Sequence, residues 1–336
     1  MSPAHPESWP VLSINGGLDT PRLHDVRDLL AAAEESDGNP PLSEQTVITL
    51  NTAPPGAATV RSLLLYAPEH EDNAGRQDEA SGPDLAGAAV VVEESDGTGT
   101  LEVAIHPNYR NLGAADRLIG ELQQVRGLSG LQAWAHGSHG AAAELAARYG
   151  FGPVRELWKM RLTDGTAGLP DVGLPDSVII RSFVPGQDEE AWLAANSAAF
   201  AHHPEQGSMT RADLEARMAE DWFDPEGFLL AEDASGRLLG FHWTKIHPSH
   251  GGHPPLGEVY VVGVTPEAQG LGLGKALTIA GIRYLQQKRL QAIMLYVDAD
   301  NAAAVSLYRK LGFTRWDMDV LYGPLAERQQ AAGAST

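Results

Sequence analysis

The run GEVYVVGVTPEAQGLGLGKA, from Gly257 to Ala276, constrains this chain more than any other stretch. From Glu258 to Val264 it is a nearly unbroken series of β-branched, aromatic and small apolar residues, which predicts a strand buried on both faces. Thr265 and Pro266 turn the chain, and Gly270, Gly272 and Gly274 follow just where a helix should begin. Glycines there cost backbone entropy, so something approaching the main chain closely explains them better than stability does. A helix start presents unpaired N–H groups and the positive end of the dipole, a setting suited to the diphosphate of a nucleotide-like ligand.

Read from Gly270 the glycines fall as GxGxG, and neither GxGxxG nor GxxxxGK[ST] follows a strand anywhere in the chain. The dinucleotide fingerprint and the P-loop are therefore excluded, while a glycine-rich turn without a ligand stays open as the plain alternative. Gln269, Gly272 and Gly274 satisfy Q/R-x-x-G-x-G/A, and so do Arg110, Gly113 and Ala115 once His106 and Pro107 are laid on Thr265 and Pro266. Downstream, YGF at 149–151 falls on LGF at 311–313, each after an Ala-rich helix and before an aromatic strand. Two matches framed by the same order of elements argue for a tandem duplication.

With 336 residues the chain has the length of two ordinary domains. Residues 1–162 form the first, 163–177 a linker rich in Gly, Pro, Asp and Thr, 178–326 the second, and 327–336 a fraying tail. Within the first, residues 1–16 read as a loosely held start, and the acidic segment 69–84 as a solvent-exposed hairpin insertion. Strands and helices alternate in both halves, which predicts an α/β class with a mixed sheet flanked by helices.

The formal charge is −20, from 44 acidic and 24 basic residues. Such a surface repels phosphate backbones and disfavours nucleic acid, whereas it welcomes a cationic amine. Much of it is solvated surface without a particular task. Cysteine is absent, which removes thiolate nucleophiles, thiolate metal sites and disulfides. His202 and His203 are adjacent and lack the spacing of a metal site, so no metal is expected. No basic segment leads into an apolar run at the N-terminus, and no stretch of about 18 uncharged apolar residues occurs, so a soluble cytoplasmic protein without a membrane partner is expected.

The pattern Gln269, Leu271, Gly272, Gly274 resembles the diphosphate-binding motif of the GCN5-related N-acetyltransferases, and YVDADNAAAVSLYRKLGF resembles that family's closing motif. The resemblance implies two tandem domains of that fold, with acetyl-CoA as cosubstrate. Its diphosphate would lie on Gln269, Gly270, Leu271, Gly272, Leu273, Gly274 and Lys275. Its pantetheine arm would run along Val262, Gly263 and Val264 and past Asn301, Ala302, Ala303, Ala304, Val305 and Ser306. The matching residues of the first half are Val103, Ala104, Ile105, Asn111, Leu112, Gly113, Ala114, Ala115 and Asp116, where Asp116 in place of Lys275 is less favourable for phosphate.

Acyl transfer from a thioester to an amine needs a base for the ammonium, donors for the oxyanion and an acid for the leaving thiolate, but no covalent nucleophile. Glu258 opens the apolar strand, where a desolvated carboxylate would make a base, or would simply end the strand as a rim charge. Tyr308, between Asn301 and Gly312, could reach the thioester sulfur as an acid, or merely pack against an Ala-rich helix. The family resemblance implies both catalytic roles. In the same alignment Glu258 corresponds to Gly99 and Tyr308 to Ala146, so the first half is expected to bind without catalysing.

The segments AAFAHHPEQG, GEVYVVGV and LYVDADNAAAV, with the tandem arrangement, are similar to family members that acetylate the cysteinyl amine of a cysteine, glucosamine and inositol conjugate. That likeness implies substrate contacts at Glu44, Glu205, Lys245, Glu258 and Tyr296. Taken alone, Glu44 reads equally as a first-turn glutamate, Glu205 as a solvated loop residue, Lys245 as a snorkelling lysine and Tyr296 as core. The expected partners are acetyl-CoA and this amine-bearing pseudodisaccharide, acting on a monomer. Another amine, such as an aminoglycoside, a polyamine or a protein N-terminus, or a non-turning acyl-CoA-binding module, stays open.

Overall fold

The computed structural model describes residues 6–68, 84–137, 139–163, 168–171, 173–201, 206–249 and 254–325. Glu205, His202 and His203, nearly all of the acidic insertion, part of the linker and the tail lie outside the described residues.

Two compact units divide the chain, one of residues 1–157 with 317–336, the other of residues 158–316. In the first, strand β1 (Val11–Asn15) precedes helices α1 (Thr20–Asp37) and α2 (Glu44–Thr52), followed by β2 (Val60–Tyr66), β3 (Leu85–Glu93) and β4 (Gly99–Ile105). Helix α3 (Ala114–Val125), β5 (Leu131–Ala135), α4 (Gly140–Arg148) and the start of β6 (Phe151–Leu162) complete that run. The start assigned as loose is partly a strand: β1 pairs antiparallel with β2 from Val11↔Leu65 to Asn15↔Arg61. Val11 packs on one face of the sheet while Leu12 and Ile14 pack on another cluster. Its brevity and the neighbouring prolines hid this from the pattern. Helix α1 follows punctuation visible in the sequence, with the Asp19 side chain accepting from the Arg22 amide and Gly38 closing the helix at φ 71°.

The second unit contains β7 (Val178–Ser182), α5 (Glu189–Ala199), α6 (Arg211–Met218), β8 (Phe228–Asp233), β9 (Leu238–His247) and β10 (Leu256–Val264). Helix α7 (Leu273–Gln287), β11 (Ile293–Asp298), α8 (Ala302–Lys310) and the start of β12 (Thr314–Pro324) follow. Its strands are ordered β7-β8-β9-β10-β11, antiparallel until the parallel pair β10–β11. The first unit is ordered β1-β2-β3-β4-β5-β12, with β4–β5 as its parallel pair.

These units do not coincide with the boundaries expected at 162 and 326, because the last strand of each half changes unit midway. Met160 and Leu162 of β6 join the second unit's core with Ile293 and Leu295, whereas Val320 and Tyr322 of β12 join the first unit's core with Leu118 and Leu131. Burial of these large apolar side chains drives each strand end to where it finds partners. Antiparallel pairs Val320↔Ala135 to Tyr322↔Ala133 seat β12 in the first unit.

On α5's side of β9 and β10, the second unit builds an aromatic stack. Phe228 lies face to face with both Phe183 and Trp243, at 4.4 Å in each case. On the opposite side α7 contributes Ile279, Ile282 and Leu285. Coverage on both faces explains the apolar run of β10.

Candidate active site

Strand β10 pairs in parallel with β11 only at Gly257↔Ile293, Glu258↔Met294 and Val259↔Leu295. Its pairing with β9 continues through Val262↔His242 to Val264↔Gly240, with a bulge between Val259 and Val261. Past Leu295 the two parallel strands part, so Val262, Gly263 and Val264 have a sheet neighbour on one edge only. A bulge re-aims the strand at this fork. An extended ligand beside them would find main-chain groups that must otherwise be satisfied elsewhere.

The glycine turn lies at the end of this strand. After a short 3₁₀ turn at Pro266–Ala268, Gly270 takes φ 84° and Gly272 φ 77°, and α7 begins at Leu273 without a side-chain cap. The first bond within the helix is donated by the Ala276 amide to the Gly272 carbonyl. The amides of Leu273, Gly274 and Lys275 thus start the helix without acceptors inside it. A Cβ at Gly270 or Gly272 would meet nothing within 4 Å, so their positive φ is what calls for glycine, and the face above them is open. Gln269, Leu271 and Lys275 are exposed, and Leu273 is core. Gly263 has a packing reason of its own, since a Cβ there would stand 2.6 Å from Phe241.

Glu258 is 5% exposed although it is a carboxylate, and it faces Lys245 across the β9–β10 ladder. Lys245 is buried too, with Nζ 4.5 Å from the Trp222 ring centre and 5.2 Å from that of Tyr260. It is therefore clasped by aromatic faces and does not snorkel to solvent. His247, two positions along the same face of β9, places Nε2 2.6 Å from Glu258 Oε2. This histidine was missed in the sequence, although the period-two spacing from Lys245 was a usable signal.

Tyr308 is buried in the cluster that also holds Val259, Leu295 and Phe313. Burial alone pushes its phenol up to about 12. Asn301 caps α8, its side chain accepting from the Ala304 amide at 3.1 Å, which gives that residue a structural task in the expected cofactor segment. Ala302, Val305 and Ser306 border a hollow of about 530 Å³ with Trp158, Ala299, Arg309 and Lys310, while Ala303 is exposed and Ala304 half-buried. Tyr296, a core residue on one reading, is 37% exposed on β11, with Lys159 Nζ 5.6 Å from its ring centre.

The first unit repeats the turn closely. Asn111 takes φ 61° and Gly113 φ 93°, and α3 starts uncapped at Ala114. Strands β4 and β5 pair from Gly99↔Leu131 to Glu102↔Trp134 and then part. Val103, Ala104, Ile105, Asn111, Gly113, Ala114, Ala115 and Asp116 line a cavity of about 540 Å³, which Leu112, 42% exposed, does not. Two charges there are already engaged. Arg110 holds Asp37 through its two terminal guanidinium nitrogens at 2.7 and 2.8 Å, and Asp116 accepts from Arg148. Glu44 is the exposed first residue of α2, just after the capping Ser43.

A parallel strand pair that forks beside an uncapped helix start, with a buried carboxylate on the forking strand, places the chain among α/β acetyltransferases of the GNAT class. The Acetyltransferase (GNAT) family matches residues 192–313. Mycothiol acetyltransferase of Arthrobacter sp. (strain FB24) is 69% identical over 324 residues, covering 96% of this chain and 99% of its own. That of Paenarthrobacter aurescens (strain TC1) is 68% identical, covering 97% and 100%. The chain belongs to the mycothiol acetyltransferase family. Among solved structures, a GCN5-related N-acetyltransferase from Sphaerobacter thermophilus is similar at TM-score 0.64 and 25% identity, covering 93% of this chain and 94% of that one. A tandem GNAT protein from the clavulanic acid biosynthesis pathway shares the fold at TM-score 0.66 and 19% identity, covering 93% and 98%.

Among the described residues, no three His, Cys, Asp or Glu side chains are grouped to hold a metal ion, and no helix is long and apolar enough to cross a membrane.

Proposed function

We propose that this protein transfers the acetyl group of acetyl-CoA to the cysteinyl amine of 1D-myo-inositol 2-(L-cysteinylamino)-2-deoxy-α-D-glucopyranoside, giving mycothiol and CoA. The observation that carries the mechanism is Glu258, a buried carboxylate on the strand that forks from β11. It takes a proton from the substrate ammonium, and the freed amine attacks the thioester carbonyl directly. The tetrahedral intermediate collapses with loss of the thiolate, which takes the Tyr308 proton, while the second proton of the former ammonium nitrogen returns to the phenoxide and the one on Glu258 leaves to solvent. The high value of that phenol keeps it protonated at neutral pH, as an acid requires.

In this reading the Gly270–Lys275 amides hold the diphosphate and the open edge of Val262–Val264 holds the pantetheine. Lys245 and Tyr296 contact the sugar, the inositol or the cysteinyl group beside Glu258, whose carboxylate pairs with the ammonium. The two halves are tandem domains of one fold. The first keeps the turn and a cavity, has glycine and alanine where the second has Glu258 and Tyr308, and acts as a non-catalytic acetyl-CoA-binding domain. The chain works as a cytoplasmic monomer.

The test is acetyl-CoA consumption by the full chain with the cysteinyl pseudodisaccharide beside an aminoglycoside, a polyamine and a peptide N-terminus. Turnover confined to the pseudodisaccharide supports the reading, and turnover confined to another amine overturns the substrate assignment.

A further inference from the structure

Glu258 is buried, yet its hydrogen-bond partner is half in solvent. His247 Nε2 lies 2.6 Å from Glu258 Oε2, with the histidine side chain 39% exposed and that of the glutamate 7%. The register explains the reach: Glu258 stands opposite Lys245, and His247 stands opposite Leu256, so His247 is the diagonal neighbour of Glu258 on the same face. The glutamate side chain has three rotatable bonds, so a donor on one carboxylate oxygen decides where the other points.

We infer that His247 is the positioning residue of the catalytic base: its Nε2–H donates to Oε2 of Glu258 and holds Oε1 toward the amine. This rests on Glu258 being the base in the reaction proposed above. No bond to the substrate is asked of His247. It fixes the direction of the proton-accepting lone pair. The exposed side of the ring also places the base one imidazole away from water, which gives the pair a route for equilibration with solvent between turnovers.

The experiment compares kcat, KM and pH profiles of the full chain with His247→Ala, His247→Gln and Glu258→Gln, and the double variant Glu258→Gln with His247→Ala. His247→Ala should lower kcat by about 10- to 100-fold, the scale of a misdirected reacting group, with KM for acetyl-CoA within about twofold. The Gln side chain can donate to Oε2, so His247→Gln should recover most of kcat. With Glu258 already replaced, His247→Ala should cost nothing more. Wild-type kcat and pH profile in His247→Ala overturn the inference, and so does equal loss in the Ala and Gln variants at unchanged Tm, or full additivity in the double variant. If the wild type acetylates a different amine, the substrate reading fails by itself and the same comparison is run on that amine.

Discussion

His136 Nδ1 lies 3.1 Å from Asp319 Oδ2, although 183 positions separate the two residues in sequence. On its other side Nε2 reaches Glu102 Oε1 at 2.6 Å, and Asp319 also accepts from the Gly137 amide. Glu102 is fully buried and takes the Ser43 amide at 2.9 Å, so one network joins β12, β5, β4 and the cap of α2.

Burial opposes charge on His136, but its hydrogen bonds to Asp319 and Glu102 outweigh that and push the imidazole up to about 9 from 6.5. A folded value above the unfolded one means a stability contribution that is full below about pH 6.5 and lost as pH rises through about 9. Urea unfolding across that window should show the wild type losing on the order of 2 to 3 kcal/mol. His136→Gln should be less stable at the acid end and nearly flat. Parallel pH curves for the two proteins would show that the imidazolium is not formed.

Replacing Glu258 by Gln keeps the side-chain shape and removes the base. The expected loss in kcat is about 10²- to 10⁴-fold, with little change in the affinity for acetyl-CoA measured by calorimetry. An unchanged rate across pH would mean that another group takes the proton.

For Tyr308 the prediction concerns shape as well as size. Because burial holds the phenol near 12, the group stays a proton donor throughout pH 6 to 10. Tyr308→Phe should therefore lower kcat by roughly 10²-fold to the same extent at every pH in that range. A defect that appears only at high pH would contradict the assignment.

Gly281 touches the ring of His242 so closely that a Cβ would stand 2.0 Å from Cε1. His242 is fully buried, donates Nδ1–H to the Leu277 carbonyl at 2.7 Å and is pushed down to about 4 by burial. The neutral ring has no room to yield, so Gly281→Ala should destabilise by about 3 kcal/mol or more. Thermal unfolding reads this directly, and a Tm within a degree of wild type would sink it.

Much of the fold was legible because it is written in local pattern. The apolar run of β10 and the glycines that follow it are set by neighbours a few positions away. The second glycine turn was legible for the same reason, and its echo was recognisable even where Asn111 takes the place of Gly270, since asparagine tolerates a positive φ better than most residues. The first strand escaped because five residues beside a proline carry too little pattern, and it owes its place to pairing with β2.

Sequence by itself determined the chemistry-bearing residue types and their local settings: an uncapped helix start with glycines, a carboxylate opening an apolar strand, and a tyrosine on the closing helix. Those are consequences of backbone preference and burial, which act over a few residues. Tertiary structure alone decided that β10 leaves β11 after Val259, that His247 meets Glu258, and that Asp319 returns to His136. Strand register and the exchange of β6 and β12 between cores set these meetings, and both depend on apolar surfaces far apart in sequence finding one another.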